Sequence, residues 1–506
     1  MATSTAVGTE RVSRIVGYKL KKGDFSTSSP NLPQRIAIFA EANHANQGTL
    51  DTDGKEITDA QTAGSLYGYG SPIYNIMRIL RPLSGGGIGG IPTIVYAQAA
   101  ADGAAYKVLE VTPTGTATAN GTHFLKVAGR DSVDGEVYAL NIAKGDTTDA
   151  ITQKIEDAVN NVLGSPFIGT STDYEATLTS KWKGLTAEDL SVTVDVGDNA
   201  LGLTYAVAST STGAGTPSVT AALNQFGNEW VTIVVNSYGT VSTVMDALES
   251  FNGIPNPDTP TGRYTGIVMK PFIALTGSVA DNPSTITDAR LDDVTIAICP
   301  APLSKGLPME AAANAALLFG KTAQNTPQSD IGGASYSDMP TPISIGSMSS
   351  YDSRDSFVKK GCSTVDLVSG RYQVQDFVTT YHPVGEVVPQ YRFCRNLMLD
   401  FNVRYGYYLL ELINVVDHVI AANDDTVNAQ NVVKPKQWLQ VVKSYAADLG
   451  VRALVADVPF MQDSITVAIS TTNPDRLETF FRYKRTGIAR IASTDAEAGF
   501  NFGTND

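Results

Sequence analysis

An alternation of buried strands and helices begins after Pro33, breaks off after Ala100 and resumes at Glu229, and that interruption constrains the fold more than any other feature. In the first part, Arg35–Glu41 (RIAIFAE) reads as a short buried strand. Ala60–Leu80 has helical spacing in its later half, which starts at Pro72, a residue favoured in a first turn. Ser84–Gly90 is a loop and Thr93–Ala97 (TIVYA) the next strand. In the second part, Trp230–Val235 (WVTIVV) is a buried strand, and Val241–Phe251 is a helix with Val244, Leu248 and Phe251 on one side. Thr265–Met269 and Asp293–Cys299 are further strands, and Met309–Phe319 is an alanine-rich helix. This order predicts a largely parallel sheet covered on both faces.

The interrupting stretch, residues 101–225, is rich in Thr, Ser, Ala and Gly. Ala105–Val111, His123–Val127, Glu136–Ile142, Glu175–Thr179 and Leu190–Val196 are strand-like, and Asp146 or Thr147 caps one helix, Ala150–Val162. The stretch therefore reads as a mostly β insertion. Beyond the second α/β part, residues 325–370 are polar and connecting, and Gln373–Tyr381 is a strand. Gln390–Ala421 is the longest helix candidate, a second helix runs from Pro435 to Gly450, and Ser464–Ser470 is a strand.

Both ends of the chain show period-two patterning with no partner beside it in sequence. At the start, Val12, Val16, Tyr18 and Leu20 alternate with polar residues, with Arg14 in the same register. At the end, Phe481 and Tyr483 alternate with Arg482 and Lys484, and Arg485, Ile488 and Ile491 follow. A lone strand leaves backbone N–H and C=O groups that need a partner, and another copy of the chain can supply it. Both ends are basic, although the chain as a whole carries a formal charge of −14. Basic ends on an acidic body favour association between copies; equally, lysine and arginine guard exposed strand edges. Gly23–Pro30 and Thr471–Pro474 are hinge material beside the two end strands.

At 506 residues the chain predicts two to four domains. Its charged fraction is 17%, below the roughly 25% usual for soluble domains, which suits a surface largely covered by neighbours. The acidic balance argues against nucleic-acid binding. No window is long and apolar enough to span a bilayer, and no signal-peptide core precedes the first strand, so synthesis in a cytoplasm without membrane insertion is expected. The 3 cysteines are too scattered for a disulfide framework. Cys299 reads as a buried small side chain, whereas Cys362 and Cys394 are candidates for an intermolecular disulfide in an assembly.

A search for chemistry finds no nucleophile elbow, phosphate-loop lysine or zinc-binding helix motif. The glycine run at 85–90 lies between a helix and a strand, the wrong order for a cofactor loop. His44, His123, His382 and His418 lie in different elements without ligand spacing. Asp292–Asp293 and Asp424–Asp425 read as capping or solvated, and Tyr405, Tyr407 and Tyr408 as packing of the long helix. No catalytic, metal or cofactor site is expected.

The ordered series Lys144–Asn160, Glu175–Leu190, Asn224–Val235, Arg290–Pro302, Arg371–Leu409, Val432–Gly450 and Asn473–Leu477 resembles contractile tail sheath proteins of bacteriophages of the Mu-like type. The acidic tail Asp495–Asp506 departs from that pattern. The resemblance implies an α/β and α+β multidomain protein. Its core lies in 31–100 and 226–335, an inserted β-rich outer domain in 101–225, an inner α+β domain in 336–475, and arms in 1–30 and 476–506. It implies hexameric rings stacked helically around a tail tube, knitted by strand exchange of the arms, contracting to drive the tube through the host envelope without consuming nucleotide. The implied partners are further copies of the chain, the tail tube protein, and baseplate and terminator or neck proteins, in a virion assembled in host cytoplasm. The helix from Pro435 presents Lys436 and Lys443 as candidate tube-facing residues. Another self-assembling polymer, such as a surface-layer or filament protein, is the alternative reading, and a doubly wound enzyme the third.

Overall fold

The computed structural model of the chain describes residues 30–266, 269–342, 348–386, 389–427 and 429–500. The chain divides into two units, one of residues 31–411 with 484–500 and the other of residues 412–483. The larger unit begins with β1 (Ile36–Glu41), α1 (Ala60–Tyr67), α2 (Pro72–Leu80) and β2 (Thr93–Gln98). Ser71 caps α2 by accepting the Tyr74 N–H at 3.1 Å, and Pro72 occupies the first turn, where its missing N–H is not needed. The Thr/Ser-rich stretch supplies β3 (Tyr106–Gly115), β4 (Gly121–Val127), β5 (Ala139–Ile142), α3 (Thr148–Asn160), β6 (Phe167–Ser171), β7 (Ala176–Lys183), β8 (Val192–Asp195) and β9 (Leu203–Ser211). The α/β pattern then returns with β10 (Ile233–Asn236), α4 (Ser242–Asn252), β11 (Ile273–Ser278), β12 (Ile296–Pro300) and α5 (Pro308–Asn325). After these come α6 (Tyr351–Lys359), the hairpin β13 (Thr364–Val368) and β14 (Arg371–Asp376), and the long helix α7 (Cys394–Asn414).

The central sheet runs β12-β11-β10-β1-β2 with all strands parallel, and Lys55–Glu56 lies antiparallel along β2. Ile36 pairs with Ile233 on one side and Thr93 on the other, which puts β1 in the middle of the sheet. Its alternate side chains enter two different cores. Ile36, Ile38 and Ala40 pack in the cluster that holds Ile76, Met77 and Phe319, while Ala37 and Phe39 join Val244 and Leu248 of α4. Burial on both faces is why the strand reads as an unbroken apolar run instead of an alternating one. The Thr/Ser-rich stretch folds into a four-stranded antiparallel sheet, β9-β3-β7-β6, and a three-stranded one, β8-β4-β5. In β7 the burial alternates cleanly, with Ala176, Leu178 and Trp182 at 0% exposure.

The mixed α/β, multi-sheet architecture expected from the sequence is found, with local corrections. Of the strand expected at 265–269, residues 267 and 268 lie outside those described, and Thr265, Gly266 and Met269 belong to no strand. The sheet strand is Ile273–Ser278, two residues beyond Pro271. The long helix stops at Asn414, and Asp417 nearby takes a left-handed φ of 61°, which an α-helix cannot continue through. Of the tyrosines on α7, Tyr405 stacks edge-on to Trp230, whereas Tyr408 is exposed, so helix packing accounts for only part of that run.

A buried ion cluster ties three parts of the larger unit together. Glu310 of α5, 2% exposed, receives Arg78 of α2 at 3.1 Å and Arg130 of the β4–β5 connection at 2.7 Å. Asp338 receives the same two arginines at 2.6 and 3.1 Å. Burial alone would raise the Asp338 carboxyl, but the two guanidinium groups outweigh it and hold it below its ordinary value. Glu310 also accepts the Leu307 N–H at 3.0 Å, closing the first turn of α5.

The smaller unit contains α8 (Pro435–Val451), α9 (Val458–Ser464) and the hairpin β15 (Thr466–Ile469) and β16 (Leu477–Phe480). Trp438, 1% exposed on α8, donates from Nε1 to Thr479 Oγ1 at 2.9 Å and so joins helix to hairpin. Asn423 Oδ1 accepts the Lys436 N–H at 2.8 Å in the first turn of α8.

Candidate assembly surface

The carboxyl end of a parallel sheet is where open α/β folds bind ligands. At the end of β1 it is filled. Glu41 is 0% exposed, its Oε2 lies 3.3 Å from the Thr186 hydroxyl, and among the described residues its Oε1 has no partner within hydrogen-bond distance. Gly184 comes so close that a Cβ there would sit 2.7 Å from Glu41 Oε1. Trp182 donates from Nε1 to Thr186 Oγ1 at 2.9 Å and seals the site from the other side. Burial raises the Glu41 carboxyl to about 8. The native chain therefore keeps this proton up to about pH 8 while the unfolded chain releases it near 4.5, so stability falls as pH rises through that window. Glu41→Gln is expected to remove this loss. The gain at about pH 9 is roughly 2 kcal/mol after the cost of burying the amide, with little gain near pH 4. Urea unfolding of both proteins across that pH range checks it; a gain independent of pH would contradict the assignment.

The other candidate chemical groups are similarly engaged. His123 is buried between Tyr205 Oη at 2.8 Å and the Asn199 carbonyl at 3.1 Å. Asp293 accepts the Thr295 and Ile296 N–H groups, each at 2.9 Å, and the Thr380 hydroxyl at 2.6 Å, a capping role. Among the described residues no group of His, Cys, Asp and Glu could hold a metal ion. Nor is any described helix long and apolar enough to cross a membrane.

The features that remain are surfaces for binding protein. In the smaller unit the β15–β16 hairpin pairs Thr466 with Phe480 and Ile469 with Leu477. Among the described residues it has no third strand. Leu412, Ile413, Val416 and Val419 of the same unit are exposed, Ile413 by 69%. A run of exposed aliphatic side chains marks a contact surface. On α8, Lys436 is exposed and Lys443 half-buried, and the Lys443 carbonyl accepts from Gln462 Nε2 at 2.9 Å.

The terminal residues singled out from the sequence fare differently at the two ends. Val12, Arg14, Val16, Tyr18 and Leu20 lie outside the described residues. At the other end, the expectation of a strand without a local partner is corrected. Residues 477–480 pair with 466–469 in the same chain, and Thr471–Pro474 belongs to the turn between them instead of forming a hinge. The Asn473 carbonyl accepts the Arg476 N–H at 3.2 Å in that turn. Phe481 and Tyr483 follow the hairpin as irregular chain with rings 6.4 Å apart. In the larger unit, Arg485 forks onto Asp400, Ile488 is half-buried and Ile491 is 84% exposed. Sequence reasoning missed Asp330, Asp400 and Arg395 as the residues that hold this segment, because nothing in their local patterns marks them.

Cys362 and Cys394 are both 0% exposed. The Cys362 sulfur lies 3.4 Å from Thr287 Oγ1, and burial pushes its thiol up to about 11. Burial also holds the Cys394 thiol well above its ordinary value. Buried, protonated thiols are poor partners for a disulfide between subunits, so the geometry argues against that role.

Comparison with known proteins points to a specific class. No family model matches the chain. The curated Mu-like prophage FluMu tail sheath protein of Haemophilus influenzae is 22% identical over 371 residues, covering 72% of this chain and 73% of the relative. This match bears out the resemblance to Mu-like tail sheath proteins. Among solved structures, the sheath tail protein of Desulfitobacterium hafniense is similar with a TM-score of 0.44 at 10% identity, over 93% of this chain and 100% of that one. The helical sheath of the anti-feeding prophage in its contracted state gives 0.44 at 10% identity, over 97% and 100%.

Proposed function

We propose that this chain is the structural subunit of a contractile phage tail sheath. It polymerises as helically stacked hexameric rings around a tail tube and contracts to drive the tube through the host envelope. The observation that carries this reading is the sequence match to a tail sheath protein, spread over 72% of the chain. The β15–β16 hairpin, two-stranded among the described residues, supports it, since an added strand gains backbone hydrogen bonds on such a template. In this reading the N-terminal arm, residues 1–30, supplies such a strand to a neighbour. Residues 101–225 form the outer domain on a core of 31–100 and 226–335, 336–475 the inner domain, and 476–506 the C-terminal arm. Strand addition suits a contractile lattice because backbone pairing survives rotation of the bodies it joins, provided the flanking links bend. The chain acts in the virion, with the tail tube protein, baseplate and terminator or neck proteins as partners. It uses neither cofactor nor nucleic acid.

Lys436 and Lys443 lie on the outward side of α8 and face the tube in this reading. Reversing both charges, Lys436→Glu with Lys443→Glu, is expected to leave the fold within roughly 0.5 kcal/mol of its original stability, as for most surface changes. Co-assembly with purified tail tube is expected to fall at least about tenfold, from loss of complementary charge. Pelleting of sheath with tube reads the outcome; unchanged co-assembly would remove these lysines from the tube interface.

A further inference from the structure

We infer that residues 184–190 of the inserted stretch act as a proton-operated latch on the central sheet, shut over Glu41 while its carboxyl is neutral and lifted when it ionises. The latch operates within the single chain, whether or not that chain polymerises as a sheath.

The latch sits where the sheet reverses its winding. In chain order the parallel strands are β1, β2, β10, β11 and β12, but in space they run β2-β1-β10-β11-β12. The chain leaves β1 towards one side and comes back on its other side, which places a crevice at the carboxyl ends of β1 and β10. Glu41 is the last residue of β1, and Ser237 and Tyr238 follow directly on β10. The Ser237 N–H donates to the Phe39 carbonyl at 3.2 Å, which ties this segment to the end of β1. Glu41, Ser237 and Tyr238 are all buried, and among the described residues Glu41 Oε1, Ser237 Oγ and Tyr238 Oη have no hydrogen-bond partner. Unpaired polar atoms are uncommon in a folded interior, so their gathering here sets the crevice apart from ordinary core.

The cover comes from the inserted stretch. Thr186 Oγ1 accepts from Trp182 Nε1 and turns its own proton towards Glu41 Oε2. The same loop is tied to both connections of the inserted stretch to the core. The Gly184 N–H donates to the Ala105 carbonyl at 3.1 Å, and the Leu185 N–H to the Gly215 carbonyl at 2.7 Å. Lifting the loop therefore shifts this neck, while Arg130, paired with Glu310, holds the inserted stretch to the core at a separate point. The groups facing Glu41 are Thr186 from the loop, Tyr238 from beyond β10, and Gln98, its neighbour on β2. Burial, and then the charge of Glu41, hold the Tyr238 phenol well above its ordinary value, so it keeps its proton. Lys107 and Glu188 beside the loop are paired with each other at 2.7 Å. Among the described residues a carboxylate at this place thus meets hydroxyl groups and no counter-charge, and its charged form needs water. The strand β1 is paired on both sides and cannot give way, whereas the loop is a single short 3-10 turn, Leu185–Ala187, and can. Burial raises the Glu41 carboxyl to about 8 from the 4.5 of an open, hydrated one. The shut form therefore binds the proton. Each pH unit across that window favours the open form by roughly tenfold, with no further gain above it.

Trypsin reads the latch, because Lys183 stands at the edge of the loop with its Nζ 4.9 Å from the centre of the Tyr106 ring. Cleavage after Lys183 is measured in the dilute full-length protein and divided by the rate on a free peptide of the same sequence at each pH. In the original chain this ratio should rise roughly tenfold per pH unit from about pH 6 and level off near pH 8. Glu41→Gln should give a low ratio that stays flat up to about pH 9. Gly184→Ala, whose Cβ would lie 2.7 Å from Glu41 Oε1, should hold the loop open and raise the ratio at about pH 6 by roughly tenfold or more. A ratio in the original chain that ignores pH, or an equal rise in Glu41→Gln, would overturn the latch. So would an equal rise of cleavage at Lys321 in α5, the sign of general unfolding instead of a local opening. Should either variant fail to fold, the pH profiles at Lys183 and Lys321 of the original chain decide alone. Failure of the sheath reading would show separately, as an original chain that never polymerises.

Discussion

Glu310→Ala is expected to lower the stability of the larger unit by roughly 3–5 kcal/mol, the usual cost of removing one partner from a buried ion cluster. Glu310 is 2% exposed and joins Arg78 to Arg130, so its loss leaves two guanidinium groups sharing Asp338 alone. It also orphans the Leu307 N–H at the start of α5. Asp338→Ala should cost less, because that side chain is 43% exposed and water can replace it. In the double variant Glu310→Ala with Arg130→Ala the loss should be smaller than the sum of the single losses, the signature of a shared interaction. Urea unfolding followed through the fluorescence of Trp182 and Trp230 in the larger unit measures all three. A Glu310→Ala loss below about 1 kcal/mol would show that the cluster does not hold these parts together.

Removing residues 1–22 is expected to abolish polymerisation while leaving a folded chain. The described core begins at Leu32 and β1 starts at Ile36, so every described strand of the central sheet is retained in the shortened chain. What it takes is the basic, period-two segment proposed to pair with a neighbour's sheet edge. Circular dichroism and unfolding midpoint should stay near those of the full chain, while sedimentation shows the loss of large polymer. Polymer formation at the normal critical concentration would remove the N-terminal arm from the assembly. A matching cut at the other end belongs after Tyr483, because removal from Arg476 onward would also destroy the β15–β16 hairpin.

Much of the fold is legible where local pattern and burial agree. Arg35–Glu41 and Trp230–Val235 stand out because a strand covered on both faces must be apolar at every position. The helix at 148–160 stands out because Thr147 caps it and Ile151 and Ile155 share its buried face. The pattern fails where burial does not select side chains. In β9, residues 205–210 are mostly exposed threonine, serine and alanine, held by pairing with β3, and no apolar alternation records that pairing. The helix Tyr351–Lys359 has no buried residue, so its sequence carries no periodic face to find. The assembly surface is legible only in part for a related reason. The period-two alternation of exposure does run on from Leu477 through Arg485, as the sequence suggests. What alternation cannot tell is which acceptor answers it. The partner of β16 is a nearby strand of the same chain, and the partners of Arg485 and Arg490 are single aspartates 85 and 160 residues away.

Electron microscopy of the purified protein at increasing concentration tests whether this chain is a sheath subunit whose function is its own polymerisation. Hollow tubes with sixfold helical symmetry and a bore wide enough to enclose a tail tube are expected. A compact particle that stays monomeric at every concentration, alone and with tail tube added, would contradict it.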